Sequence, residues 1–247
     1  MMSGRAVASV GAVLGMFAAL PACDRQTVDA AAQPYEIVTQ MRPESLEAYM
    51  KVFRLAYDMC ARVQAIQHLP PPPPLVVLPA DFVTKRSTYL SSGSGYLIRH
   101  EEFNVVMEEA GCKTRLDSVI TEAVVRGGEV YGQRREMGGD TEVIPPAPSG
   151  WDPSKAASDE ASYAEKRTVG GIGMRCLSAY LRGGITLDKC AANTNAGLLR
   201  DGAGDPIVLY AYELVPGRDK MVVLTEPVSV QIGKPVSPER IALSGVK

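Results

Sequence analysis

The chain holds two histidines, and one of them, His100, stands beside Glu101 and Glu102. A histidine next to two carboxylates has the makings of a metal site or of acid–base chemistry. The spacing argues against both. The segment reads as the start of a helix, where adjacent residues do not face each other, and the acids then favour the positive helix N-terminus. His68 falls at the end of the preceding helix, where a cation suits the dipole. No H-E-x-x-H, G-x-S-x-G, G-x-G-x-x-G or Walker loop occurs. Gly171-Ile172-Gly173 is a lone G-x-G that reads as helix punctuation. Ser244-Gly245-Val246-Lys247 matches the S-x-x-K spacing but lies at the C-terminus without its companion motifs. There is no C-x-x-C pair and no C-x-x-C-H, so neither redox thiols nor covalent haem is indicated. The reading therefore assigns no catalytic residue, no cofactor and no metal. A triad meets in space and not in sequence, so an envelope hydrolase centred on His100 stays open as an alternative.

Chemistry of a different kind sits at the N-terminus. After a single early Arg5, residues 6–20 are an unbroken apolar or small run, closed by Leu20-Pro21-Ala22-Cys23. The run is short for a spanning helix, which needs roughly 20 apolar residues, and it fits the core of a secretory leader. Leu-Pro-Ala-Cys resembles the lipobox of bacterial lipoproteins. The resemblance implies that residues 1–22 are removed, that the Cys23 thiol carries a diacylglyceryl group, and that the new amine is acylated. It further implies a periplasmic location on an envelope membrane, and Asp24 resembles the inner-membrane retention signal of enteric lipoproteins. An uncleaved anchor helix, or a plain leader with a chance cysteine, are the other readings. Residues 23–42 read as a tether.

With Cys23 lipidated, Cys60, Cys112, Cys176 and Cys190 remain. An even count in an oxidising compartment reads as two disulfides. Cys60–Cys112 and Cys176–Cys190 are the favoured pairs, because each half of the chain then closes on itself. The second would close a loop worth roughly 3 kcal/mol in the chain-entropy model. Four buried thiols are the alternative.

The expected fold class is α+β, with short helices through the first four-fifths and a C-terminal antiparallel meander. Helical periodicity is clearest over residues 44–68, where Leu46, Tyr49, Met50, Phe53, Ala56, Tyr57, Cys60 and Val63 recur at three- and four-residue steps. Five prolines, Pro70 to Pro74, then impose an extended spacer. Leu75 to Leu78 reads as a short buried strand. Helices are expected over residues 99–110, 114–126, 154–169, 172–181 and 187–199, with strand as the alternative for 114–126 because of its β-branched content. Residues 207–214, 221–225 and 228–232 read as strands, with Pro216-Gly217-Arg218-Asp219 a turn. Asp201, Gly204 and Pro206 resemble in spacing the strand start of pilin-like subunits, without the pilin N-terminal methylation motif. The organisation is then a leader (1–22), a tether (23–42), a helical part (43–137), a Pro/Gly-rich connection (138–152), and helices followed by the meander (153–247).

The 28 acidic and 26 basic side chains nearly balance, and no Lys/Arg cluster occurs. Nucleic acid is accordingly not an expected partner. The expected function is an accessory or scaffold lipoprotein, held to the membrane by its N-terminal lipid and binding another envelope protein. A small-ligand binder with a cleft between helices and strands is a further alternative.

Overall fold

The computed structural model describes residues 33–108, 111–150, 152–215 and 221–245. The leader, Cys23, Asp24, most of the tether and the turn at Pro216 lie outside the described residues. Strand makes up 49 % of the described residues and helix 18 %. The fold is therefore mostly antiparallel β, which overturns the helix-rich α+β expectation. One sheet of twelve strands runs in the order β6-β5-β4-β3-β2-β1-β12-β11-β9-β8-β7, with β10 on β9. The strands are β1 (Tyr35–Pro43), β2 (Lys85–Ser91), β3 (Gly95–Met107), β4 (Thr114–Arg126), β5 (Glu129–Glu136), β6 (Thr141–Pro148), β7 (Glu165–Val169), β8 (Ile172–Cys176), β9 (Thr186–Thr194), β10 (Gly197–Leu198), β11 (Val208–Leu214) and β12 (Val222–Ile232). The helices are α1 (Leu46–Ile66) and α2 (Pro153–Ser162). Two meanders thus spread in opposite directions from a central β1–β12 pair.

Four of the expected helices are strands. Of residues 99–110, 99–107 belong to β3, and 114–126 is β4. Residues 172–181 divide into β8 and a short 3₁₀ turn, and 187–199 into β9 and β10. The helix expected over 154–169 stops at Ser162, and β7 follows. The reason is burial on both faces. On β4, Val125 faces the concave interior while Val124 is covered by the C-terminal tail, and both are buried. A strand covered on both sides shows no apolar–polar alternation, so its periodicity is ambiguous. The Gly127-Gly128 and Gly170-Gly171 pairs are hairpin turns with φ of +58° and +82°, and +59° and +81°. Residues 35–42, read as tether, form most of the central strand β1. The Pro/Gly-rich connection contains β6, which lies at one edge of the sheet and carries Pro145, Pro146 and Pro148. Leu75 to Leu78 is not a strand, though Leu78 is buried against α1. The last two expected strands are one, β12. Pro227 is accommodated there because β11 pairs β12 only from Val222 to Thr225, so the missing N–H breaks no ladder on that side.

The sheet is strongly curled. Lys85 on β2 and Lys189 on β9 line a common cavity although β1, β12 and β11 separate their strands. The main core fills the concavity, with Tyr35, Ile37, Met174, Ile207 and Leu209 among its buried members. α1 closes one end, packing Tyr49 and Met50 on Phe82, Val105, Met221 and Val223. α2 lies at the other end, beside the start of β3 and the end of β4. On the convex side the C-terminal tail lays Val236, Ile241 and Leu243 across Leu90, Leu97 and Val124. Among the described residues no helix is long and apolar enough to cross a membrane.

Cys60 is bonded to Cys112, with sulfurs 2.00 Å apart, and Cys176 to Cys190, at 2.02 Å. The first ties α1 to the turn between β3 and β4. The second joins directly opposed residues of β8 and β9.

Candidate functional site

α1 starts where Ser45 accepts a hydrogen bond from Ala48 N at 3.1 Å, an N-cap. Its inward face is the one the periodicity indicates at Leu46, Tyr49, Met50 and Phe53. Further along, contact with the body narrows to the Cys60 disulfide, buried Gln64 and the Tyr57 hydroxyl, which donates to Pro73 O at 2.7 Å. The proline spacer thereby runs back along the helix. The outward face is apolar too. Val52, Leu55, Met59, Val63 and Ile66 are 41–77 % exposed. Their steps of three and four residues place them in one stripe. Of these, Val63 is the only residue that the sequence reading assigned to the inward stripe. The signal was present in the spacing but was obscured by the stronger inward pattern. Lys51, Arg54 and Arg62 flank the stripe, with Asp58 among them.

His100 lies on the concave side of β3, cross-strand from Ser87. Its Nδ1 is 2.9 Å from Ser87 Oγ, and its ring meets Tyr89 edge-on, with centroids 5.9 Å apart. A strand alternates faces, so Glu101 turns to the other side and pairs with Arg99 at 2.8 Å, while Glu102 pairs with Lys85 at 3.2 Å. The His-Glu-Glu cluster is thus dispersed. Burial chiefly, with Lys85 adding and Glu102 opposing, pushes the imidazole down to about 4 from 6.5. Such a ring is neutral and weakly basic at neutral pH. Ser87 sits mid-strand between β1 and β3, where neighbouring N–H groups serve the sheet rather than an oxyanion. The pair orders hydroxyls in the interior but lacks the donors that acyl transfer needs.

A pH dependence follows. The unfolded chain protonates His100 near 6.5 and the folded one near 4, so its contribution to stability is full above 6.5 and drains as pH falls through about 4. Urea midpoints measured across that window should fall less steeply in His100→Gln than in the parent. Parallel slopes would show that the ring titrates normally.

A concavity of about 450 Å³ lies between α2 and the sheet, lined by Tyr96, Val125, Ala157, Glu160 and Leu198 among others. Its floor is tight. A Cβ on Gly202 would stand 2.6 Å from Val125 Cγ2 and 2.8 Å from Tyr96 Cβ. Arg200, almost fully buried, donates to Asp159 Oδ2 and Gly204 O at 2.8 Å and to Ala156 O at 2.9 Å. Asp201 accepts from Ala203 N at 2.9 Å and Asp205 N at 3.0 Å. Burial raises its carboxyl above the ordinary value despite those bonds. The Asp201–Gly204–Pro206 spacing thus serves a turn, with Gly204 at φ +88°. Of the charged groups of this cleft, Glu160, Arg200 and Asp201 hold α2 and the turn, and Arg126 donates to Ile241 O in the C-terminal tail.

The remaining sequence-marked residues form no centre. His68, at φ +55°, follows α1 and is exposed. Ser244 donates to a buried carboxylate, Glu122, and Lys247 of the S-x-x-K spacing lies outside the described residues. Among the described residues no group of three or more His, Cys, Asp or Glu could hold a metal ion. No protein-family model matches the chain, and comparison with curated proteins finds no significant relative.

Proposed function

We propose that this protein is a membrane-anchored accessory component of the bacterial envelope, held by lipid at Cys23 and docking an envelope protein on the outward face of α1. The observation that carries the reading is the stripe Val52, Leu55, Met59, Val63 and Ile66, exposed along a helix whose other face is already buried. Contiguous exposed apolar surface of this kind marks interaction sites. The position of the stripe argues for a protein rather than the bilayer. The tether enters at Tyr35, whereas α1 begins just past Pro43, at the other end of a nine-residue strand about 30 Å long. A chain anchored at Cys23 therefore carries α1 at the end remote from its attachment. The flanking Lys51, Arg54 and Arg62 outnumber Asp58, so the complementary partner presents an apolar ridge or groove with acidic flanks.

The test is site-specific photocrosslinking in cells, with the probe at Leu55 of the full chain. The expected result is one protein adduct that disappears when Met59→Glu is added, with crosslinked peptides that are apolar and acid-flanked. Because Met59 is exposed, that change should leave folding intact. Adducts only to lipid, only to a second copy, or insensitive to Met59→Glu would each overturn the reading.

A further inference from the structure

The interior of the curled sheet holds a second cavity, of about 170 Å³, between β1, β2, β9, β11 and β12. Its walls are rigid strand positions rather than loops. Lys85 and Lys189 enter it from opposite sides, Glu213 stands near Lys189, and Thr39, Ser87 and Thr225 contribute hydroxyls. These three hydroxyl residues are 3–8 % exposed, so they are polar groups deep in the fold. Tyr89 adds a phenol beside Ser87.

We infer that this cavity is a binding site for a small oxyanion, a short carboxylate or a phosphate. Three observations support it. First, the wall is rich in donors. Each lysine ammonium has three N–H groups and a hydroxyl one, against a single lining carboxylate, Glu213. Second, the two ammonium groups are loosely held. Lys85 is 3.2 Å from Glu102, and Lys189 is 3.6 Å from Glu213. Both are longer than the 2.7–2.9 Å of a close charge-assisted bond, and both leave N–H groups for a ligand. Third, the volume equals that of about six water molecules, which suits a compact anion. The two lysines are balanced by Glu213 and, on Lys85, by Glu102, so a guest would be held by the local N–H and O–H donors rather than by net charge. His100 stands behind Ser87 and fixes its hydroxyl at 2.9 Å, so the wall is preorganised.

The site is independent of the α1 face, and the experiment separates the two. The full chain is titrated with sodium propionate, with inorganic phosphate and with sodium chloride at matched ionic strength, followed by calorimetry and by thermal unfolding. Saturable one-to-one binding of propionate or phosphate, absent with chloride, is expected, and whichever binds identifies the source chemistry. Lys189→Met should weaken binding at least about tenfold, and Thr225→Val by a smaller factor. Leu55→Glu, on the outer face of α1, should bind as the parent does. No saturation with either anion would overturn the assignment, as would unchanged affinity in a folded Lys189→Met protein or, should that variant fail to fold, in Thr225→Val.

Discussion

Glu122→Ala should cost about 3–5 kcal/mol of stability, the range for removing one member of a buried charged network, and should release the C-terminal tail from the sheet. Glu122 is 1 % exposed on the convex face of β4. Its Oε1 accepts from Ser244 Oγ at 2.6 Å. Its Oε2 accepts from Ser244 N at 2.9 Å and from Gln133 Nε2 at 2.5 Å. Arg99 Nη1 lies 3.5 Å away, and Gln133 Nε2 also reaches Ser244 O at 2.8 Å. Arg99, Glu122 and Gln133 are direct cross-strand neighbours on β3, β4 and β5, so the sheet itself assembles the receptor for the tail. Burial raises the carboxyl, but the bonds from Ser244 and Gln133 and the charge of Arg99 outweigh it and hold Glu122 below its ordinary value. The unfolded chain therefore takes up this proton first. The contribution is whole above about 4.5 and is lost as pH falls through the lower folded value. Urea unfolding gives the energy, and amide exchange at Ile241 and Ser244 gives the release. Glu122→Gln keeps the shape and an acceptor and should cost less, about 1–2 kcal/mol. If the alanine variant unfolds at the parent's urea midpoint, the tail is held by Val236, Ile241 and Leu243 alone.

The second large effect is expected at Arg200. α2 buries none of its own residues, so apolar packing does little to hold it. Two arginines hold it instead. Arg200 binds Ala156 O and Asp159. Arg175 donates to Tyr163 O at 2.6 Å and also reaches the carbonyl and the carboxylate of Glu160. Arg200→Ala leaves Asp159 without its buried partner and Gly204 O without a donor, at about 3–5 kcal/mol. Arg200→Lys should rescue only part, since one ammonium cannot reproduce the guanidinium's fork. Limited proteolysis between Pro153 and Ser162 is the readout. Cleavage there should become rapid in the alanine variant while β1 to β5 stay protected. Equal protection in both proteins would show that the Arg175 contacts suffice.

These two knots also show why the fold was only partly legible in the sequence. α1 was readable because one of its faces meets a core and the charged residues largely fall between the apolar ones. β3 and β4 were not. Tail on one side and interior on the other leave runs such as Val119-Ile120-Thr121 without the period-two alternation that marks a half-buried strand, and chance spacing of Phe103, Val106 and Met107 imitates a helix. The one internal hint was Glu122, a single acid within that β-branched run, which signals a buried partner rather than a solvated face. His100 was legible as the histidine to watch, but its partners were not. Ser87 and Tyr89 lie on another strand, and only the register of β2 on β3 brings them together. The outward stripe of α1 was overlooked because a second apolar pattern on one helix is masked by the first.

The two outermost strands of the sheet have a consequence for copies of the chain at high density. Proteins held by one end meet their copies at high local density, and an unclosed sheet offers its unpaired backbone to any neighbour. Here one rim, β6, carries Pro145, Pro146 and Pro148, which supply no N–H, and the other, β7, begins Glu165-Lys166-Arg167. Neither border is a good template for another strand, so crowding should not drive these molecules into fibrillar stacks.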